Sequence, residues 1–333
     1  MSYLDNHRDD LRELFQALDR NQDWTDDEAE LVRYMERHWL GVEHGPGADK
    51  ETFDSAAVDR AWPLLRRLGV VDRLNPPRTS YDHVIVMGAA GIGLHRRMEL
   101  VRSSGVTSPV MTILAGMRPH SGLARDGGID ELLHTAGRFG AASAEWTPPA
   151  ELVRVQRLLG DVDPLVAAQV AFASETDLAR LLLTKQWPMA RLMGATFATD
   201  PGTPNELGPR RLLFEEYAVD SHIGVIRLLN GAAVRRDHDG VPRPPRPTSR
   251  STIREWVDLE GASLDGASVL AVVNQPHLAR VRLDVGAELR ELGRSDVSLD
   301  TAGCEALRDS ADLNLLLGEI PARINAERLS QPS

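Results

Sequence analysis

Cysteine is almost absent from this 333-residue chain, in which Cys304 is the only one. A single cysteine excludes an internal disulfide and a zinc site built from several cysteines. Long apolar runs are also missing, because no stretch approaches the roughly 18 residues that a membrane helix needs. The start, MSYLDNHRDD, has neither the basic nor the apolar segment of a signal peptide. These absences predict a cytoplasmic protein that has no membrane partner.

Lysine is scarce as well, and basic residues are fewer than acidic ones. The formal net charge is −11, and lysine occurs only at Lys50 and Lys185, so nearly all basic residues are arginine. No block of basic residues stands out, which argues against a nucleic-acid partner. The balance of 42% hydrophobic and 26% charged residues is typical of a globular protein with one large core or two smaller ones.

Apolar periodicity divides the chain. Leu11, Leu14, Phe15 and Leu18 share a helical face, and the pattern predicts a helical N-terminal region over residues 1–78. From His83 onward, helical stretches alternate with short apolar runs at 83–87, 110–114, about 191–198 and 267–273. This alternation predicts a Rossmann-like α/β domain over residues 79–333, with a doubly wound, mainly parallel sheet.

One stretch interrupts this pattern. Residues 235–250, RRDHDGVPRPPRPTSR, are rich in proline and arginine, which build neither a core nor a central strand. The stretch therefore predicts an exposed loop within the α/β domain.

The segment VIVMGAAGIGLHRR, residues 84–97, has the outline of a dinucleotide-binding turn. The dinucleotide fingerprint needs three glycines and an acid at the end of the second strand. Here its positions hold Gly88, Ala90 and Gly93, and the second strand ends in Ala115 and Gly116 with no acid. We therefore expect no NAD site. The remaining glycine turn either binds an anion or another ligand, or only permits a tight connection.

Ligands of open parallel sheets bind beyond the carboxyl ends of the strands. The segments that follow the predicted strands are GAAG at 88–91, AGMRPHSG at 115–122, TDPGTPNE at 199–206 and NQPHLAR at 274–280. We expect these four segments to meet at one crevice.

The order of these segments resembles the YdcF/SanA/ElyC-like family, a Rossmann-like group whose members are largely of unknown biochemical function. The resemblance covers about residues 82–292, and it is carried by DHVIVMGAA, TILAG, SETDLARLL, TPNE and VVNQPHLARVRLD. By position in these motifs, it implies site residues at Gly88, Gly116, Glu175, Thr203, Asn205, Glu206, His277 and Arg280, with Ala89 beside Gly88 in the cofactor-binding turn. It also implies a nucleotide-like or anionic ligand such as S-adenosylmethionine.

Two departures from the family pattern concern the substrate side of the site. Pro204 stands in a turn that is usually rich in serine and asparagine. About 50 residues, roughly 118–170, separate the second strand from SETD.

Three of the implied residues have chemistry of their own. His277 can serve as a general acid–base group, or it can only cap a helix. Arg280, one helical turn further on, can clamp a phosphate or carboxylate, or it can form a surface ion pair. Glu175 can be an acid–base group or an acceptor for ribose hydroxyls, or it can only favour a helix start.

Other reaction types are less well supported. The stretch EEYAVDSH, residues 215–222, groups acids with a histidine, but residues two apart on a helix do not share a face. It therefore predicts a solvated helix face and no metal site. A serine hydrolase is set aside because the chain has no G-x-S-x-G motif.

The sequence thus predicts a small-molecule-binding protein, with a group-transfer enzyme as the leading hypothesis. One alternative is a non-catalytic ligand-binding or regulatory protein on the same fold. Another is a scaffold with a vestigial pocket whose helical region binds a partner.

Overall fold

The computed structural model describes residues 2–39, 53–89, 92–116, 175–199, 210–231, 234–238, 241–246, 249–308 and 310–330. The α-helices within these ranges are α1 (Tyr3–Asn6), α2 (Arg8–Ala17), α3 (Glu28–Trp39), α4 (Ser55–Arg67), α5 (Ile92–Ser104), α6 (Glu175–Gln186), α7 (Ser249–Glu260), α8 (Leu278–Glu291) and α9 (Ser310–Ser330). The strands are β1 (His83–Met87), β2 (Ser108–Gly116), β3 (Arg191–Thr199), β4 (Arg210–Ala218), β5 (Ile223–Gly231), β6 (Val234–His238), β7 (Val241–Arg246), β8 (Ser268–Asn274) and β9 (Ser298–Cys304).

Seven of the described strands form one mixed sheet in the order β3-β4-β5-β2-β1-β8-β9. Strands β5, β2, β1 and β8 pair in parallel, whereas β3, β4 and β5 pair antiparallel at one edge. The predicted α/β, Rossmann-like fold with a mostly parallel sheet flanked by helices is confirmed.

The strands predicted from apolar runs are present. All five residues of β1 are buried, as expected for a continuous β-branched run in the middle of a parallel sheet. The predicted runs at 110–114, 191–198 and 267–273 lie in β2, β3 and β8. Strand β3 differs from expectation in direction, because it pairs antiparallel with β4 at the edge of the sheet.

The described residues of the proline-rich stretch at 235–250 include a two-stranded ribbon, β6 with β7, where a loop was expected. Strands β6 and β7 pair antiparallel, with Asp237 opposite Pro242 and His238 opposite Val241. Both strands of an isolated ribbon are edge strands, where proline is tolerated because half of the backbone N–H groups have no ladder partner.

The chain divides into two compact units. The first contains Met1–Pro77, Val273–Gly293 and Leu299–Ser333, so the N-terminal helices share it with α8 and α9. The second contains Arg78–Val272 and Arg294–Ser298. Each unit is described on its own below.

The first unit has a helical core. Helices α2, α3, α4 and α9 bury Leu14, Met35, Leu65 and Leu317 in one apolar cluster. Asp54 caps the start of α4, because its carboxylate accepts a hydrogen bond of 2.7 Å from the backbone N–H of Ala57.

Among the helices that the structure describes, none is both long enough and apolar enough to cross a bilayer.

Candidate functional site

In the second unit, the carboxyl ends of three parallel strands lie side by side. Met87 at the end of β1 is opposite Leu114 of β2, and Gly116 at the end of β2 is opposite Gly231 of β5. This edge of the sheet, the β1/β2/β5 edge, is where an open α/β sheet binds its ligands.

Gly88 and Glu175 meet at this edge. A Cβ on Gly88 would collide with the backbone oxygen of Leu114 and would lie 3.0 Å from Oε2 of Glu175. Glycine at position 88 therefore lets strand β2 and a carboxyl group approach the first turn closely. Glu175, the first residue of α6, is buried with 7% of its surface exposed.

Arg97 ties down the same turn from the side of α5. Its Nη1 donates hydrogen bonds to the backbone oxygens of Met87, at 2.6 Å, and Gly88, at 2.7 Å. The side chain is buried, so its positive charge lies inside the protein close to the turn. Charged donors of this kind hold carbonyl groups more strongly than neutral donors do.

Hydroxyl and amide groups surround the end of β5. Thr176 Oγ1 donates a hydrogen bond of 3.1 Å to Asn230 Oδ1, and both residues are buried. A Cβ on Gly231 would lie 2.6 Å from Thr252 Oγ1, so the threonine of α7 reaches the same strand end. The β1/β2/β5 edge thus combines glycine-lined backbone with buried hydrogen-bonding side chains.

The turn at Gly88 lies close to charged groups of both signs, the buried guanidinium of Arg97 and the carboxyl group of Glu175. A carboxylate accepts hydrogen bonds from hydroxyl or amino groups. The position of Glu175 therefore suits a ligand that presents hydroxyl or amino groups to Gly88.

In the first unit, His277 and Arg280 share a buried acid that the sequence analysis missed. Nδ1 of His277 lies 2.7 Å from Oε2 of Glu319, and Nε of Arg280 donates a 2.7 Å hydrogen bond to Oε1 of the same residue. His277 is the N-cap residue of α8, but its side chain makes no hydrogen bond to that helix, and its role as an acid–base group stays a prediction. Arg280 pairs with a carboxylate whose side chain is only 5% exposed, which is not a surface ion pair.

The environment of Glu319 holds its pKa below the usual value. Burial alone raises the pKa of this carboxyl, but the hydrogen bond from His277, together with the charges of His277 and Arg280, outweighs burial. Glu319 is therefore a buried, ionised acceptor at neutral pH.

We expect Glu319 to make stability depend on pH. Because its pKa is lower in the folded than in the unfolded protein, the charged form contributes stability above the unfolded value near 4.5. That contribution is lost as the pH falls from there through the folded pKa. Urea unfolding measures the free energy of unfolding of wild type and of Glu319→Gln between pH 3 and 7. The difference between the two proteins should be constant near pH 7 and should become smaller in acid. A difference that stays constant down to pH 3 would contradict the assignment.

The predicted site residues fall into three groups. Gly88, Ala89, Gly116 and Glu175 belong to the second unit, at or next to the β1/β2/β5 edge. His277 and Arg280 belong to the first unit. The others lie outside the described residues: Thr203, Asn205 and Glu206. That all these residues line one crevice stays a prediction.

Several residues at these sites were not anticipated, namely Arg97, Thr176, Asn230, Thr252 and Glu319. Asn230 had a readable signal, because IGVIRLLNG is an apolar run that ends in a polar residue and a glycine, as a strand entering a ligand site does. Glu319 is the single acid in the apolar run LNLLLGEI. An acid in such a run is expected to be buried, and a buried acid is usually paired with a cation.

The stretch EEYAVDSH is not the predicted helix face. Residues 215–218 end strand β4, where alternate side chains share a face, and Tyr217 donates a 2.8 Å hydrogen bond to Oε2 of Glu215. Arg180 also bonds both oxygens of Glu215, at 3.0 and 3.1 Å. Burial and the neighbouring Glu215 raise the pKa of Tyr217 to about 12. The cluster is an ion-pair network, and the described residues contain no group of three or more potential metal ligands.

Because comparison with known proteins finds no match, a functional conclusion has to rest on the geometry described above. No protein-family model, no curated protein and no solved structure matches the chain. What the fold and the two sites define is an α/β protein with a mixed, mostly parallel sheet and buried polar groups at the carboxyl edge of that sheet.

Proposed function

We propose that the second unit binds a small molecule that carries ribose hydroxyls and a positive charge, with S-adenosylmethionine as the leading example, and that the protein is a group-transfer enzyme. This proposal takes up the resemblance to the YdcF/SanA/ElyC-like family. It also includes a cytoplasmic location, which the single cysteine supports.

One observation supports this ligand class above others, namely the carboxyl group of Glu175 beside Gly88. In dinucleotide-binding folds the corresponding turn approaches a pyrophosphate. A carboxyl group at that position accepts hydrogen bonds from a ribose and attracts a sulfonium cation, and it offsets the attraction that the nearby Arg97 would offer a phosphate. The buried Asn230 and Thr176 add further hydrogen-bonding groups for a polar ligand.

Calorimetric titration tests the ligand class. We expect S-adenosylmethionine to bind at micromolar concentration, and NADH and NADPH to bind no more tightly than about millimolar. Glu175→Gln keeps the shape of the side chain but removes its charge, so it should weaken S-adenosylmethionine binding by about 10- to 100-fold. Tighter binding of NADH than of S-adenosylmethionine would overturn the proposal.

Asp177→Asn is the matched control for this titration. Asp177 also lies in the first turn of α6, but its carboxylate is half-exposed and pairs with Arg180 at 2.8 Å. The control should bind S-adenosylmethionine as wild type does. Equal loss in both variants would show that the general charge of the helix, rather than Glu175, governs binding.

Product analysis separates an enzyme from a non-catalytic binding protein. Mass spectrometry of gently purified protein identifies the molecules that co-purify, and these are then incubated with the protein and S-adenosylmethionine. Formation of S-adenosylhomocysteine beyond the protein-free rate supports group transfer. Binding without turnover would favour a regulatory role on the same fold.

A further inference from the structure

The buried carboxyl group of Glu319 determines what the ring of His277 can do. An ionised carboxylate accepts hydrogen bonds and cannot donate them. Glu319 is ionised because its pKa is lowered, and its Oε2 lies 2.7 Å from Nδ1 of His277. The nitrogen that faces Glu319 must therefore carry a proton.

The second nitrogen of His277 has the complementary property. In a neutral imidazole only one nitrogen carries hydrogen, so a protonated Nδ1 leaves Nε2 as an acceptor. No described residue hydrogen-bonds to Nε2, and 23% of the side chain is exposed. Nε2 is thus the ring nitrogen that can accept a hydrogen bond or a proton from an incoming molecule.

Arg280 fixes Glu319 rather than competing for the histidine. Its Nε donates to Oε1 of Glu319 at 2.7 Å, which engages the carboxylate oxygen that His277 does not use. The 3.3 Å approach of Arg280 Nη2 to His277 Nδ1 is a contact between two donors once Nδ1 carries hydrogen. Both oxygens of the carboxylate are therefore held, and the carboxylate cannot rotate away from the ring.

We propose that Glu319 is the positioning residue of an acid–base site at His277, because it fixes the Nδ1–H tautomer and so leaves Nε2 as the proton acceptor. The molecule that binds at this site places a weakly acidic group, such as a hydroxyl, next to Nε2. The proton moves from that group to Nε2, and the resulting imidazolium is stabilised by the negative charge of Glu319. The inference concerns the first unit alone and does not depend on the ligand of the β1/β2/β5 edge.

Nitrogen NMR tests the tautomer without any ligand. Two-bond proton–nitrogen spectra of ¹⁵N-labelled full-length protein at pH 8 distinguish a protonated from an unprotonated ring nitrogen, and His277→Asn identifies the signals of His277. We expect the Nδ1–H form to exceed the Nε2–H form by about tenfold or more in wild type. A wild-type spectrum dominated by the Nε2–H form would overturn the proposal, whatever the behaviour of the variants.

Two substitutions on α9 complete the test. Glu319→Gln keeps the size of the side chain but offers an amide in place of the carboxylate, so the excess of the Nδ1–H form should fall several-fold. Glu327→Gln removes a carboxylate from the same helix, where it accepts from the backbone N–H of Tyr3 at 2.9 Å, and should leave the His277 spectrum unchanged. An unchanged tautomer ratio in folded Glu319→Gln would show that Glu319 has only a structural role.

Discussion

Replacing Arg227 by methionine is expected to lower the free energy of unfolding by about 3 kcal/mol at pH 7. Arg227 of β5 donates through Nε to Glu216 at 2.8 Å, and through Nη1 to both oxygens of Glu260 at 2.8 and 2.9 Å. The side chain of Glu260 is only 3% exposed. Methionine fills a similar volume but leaves two carboxyl groups without the cation that both contact, one of them buried. Urea unfolding followed by circular dichroism measures the loss.

The control is an arginine whose partner is exposed. Arg102→Met breaks the pair between Arg102 and Glu99, two side chains that are 50% and 37% exposed. Exposed pairs of this kind stabilise proteins by under about 1 kcal/mol, because water solvates both charges when the pair is broken. If Arg227→Met lowers the free energy of unfolding no more than Arg102→Met does, the burial of Glu260 does not make the Arg227 network more stabilising than an exposed ion pair.

The second large effect is expected at Leu317 of α9. Leu317 is fully buried in the core of the first unit, so Leu317→Asp forces an unpaired charge into an apolar environment. We expect a loss of about 4 kcal/mol or more, which is a large share of the 5–15 kcal/mol that stabilises a typical protein. Thermal unfolding followed by helical circular dichroism should show the change as a much lower melting temperature.

Leu315→Asp is the matched control, because Leu315 lies on the same helix with 42% of its surface exposed. It makes the same chemical change, yet the aspartate remains in contact with water. The expected change is within about 0.5 kcal/mol. Similar losses in the two variants would mean that aspartate weakens the helix itself and that the core contributes little.

Strands that consist of one continuous apolar run could be predicted from the sequence. HVIVM of β1 lies between Asp82 and Gly88 and contains three β-branched residues in a row, which is typical of the centre of a parallel sheet. Strand β8, SVLAVVN, follows the same rule. These two strands, together with β2 and β5, form the parallel part of the sheet. The apolar runs of β1, β2 and β8 were sufficient to predict its class.

Strands that carry charge could not be predicted in this way. Strand β4, RRLLFEEYA, contains four charged residues, and β9, SLDTAGC, has few apolar ones. Their pairing partners stabilise them, because Glu215 and Glu216 of β4 find Arg180 and Arg227 in the folded protein. Such long-range pairing leaves no local period in the sequence.

The residues of the candidate sites could also be predicted only where the signal in the sequence is local. His277 and Glu175 were identified because both stand at the start of a helix in motifs that the family resemblance singles out. Glu319 was missed because 42 positions separate it from His277, and no spacing rule links residues at that distance. Local sequence thus indicates where a site lies, whereas the partners that set its chemistry depend on tertiary packing.

The first unit is closed by both ends of the chain. The backbone N–H of Tyr3 bonds to Glu327 across 324 positions, and Asn325 donates to Glu36 at 2.6 Å. Helices α1–α4 therefore leave the ribosome long before α9, which completes their core. At 5–20 residues per second, the interval between the end of α4 at Arg67 and the end of α9 at Ser330 is about 13 to 53 seconds. The second unit draws most of its length from the single segment Arg78–Val272, which is synthesised during that interval. The helices that are made first are thus the last to be covered.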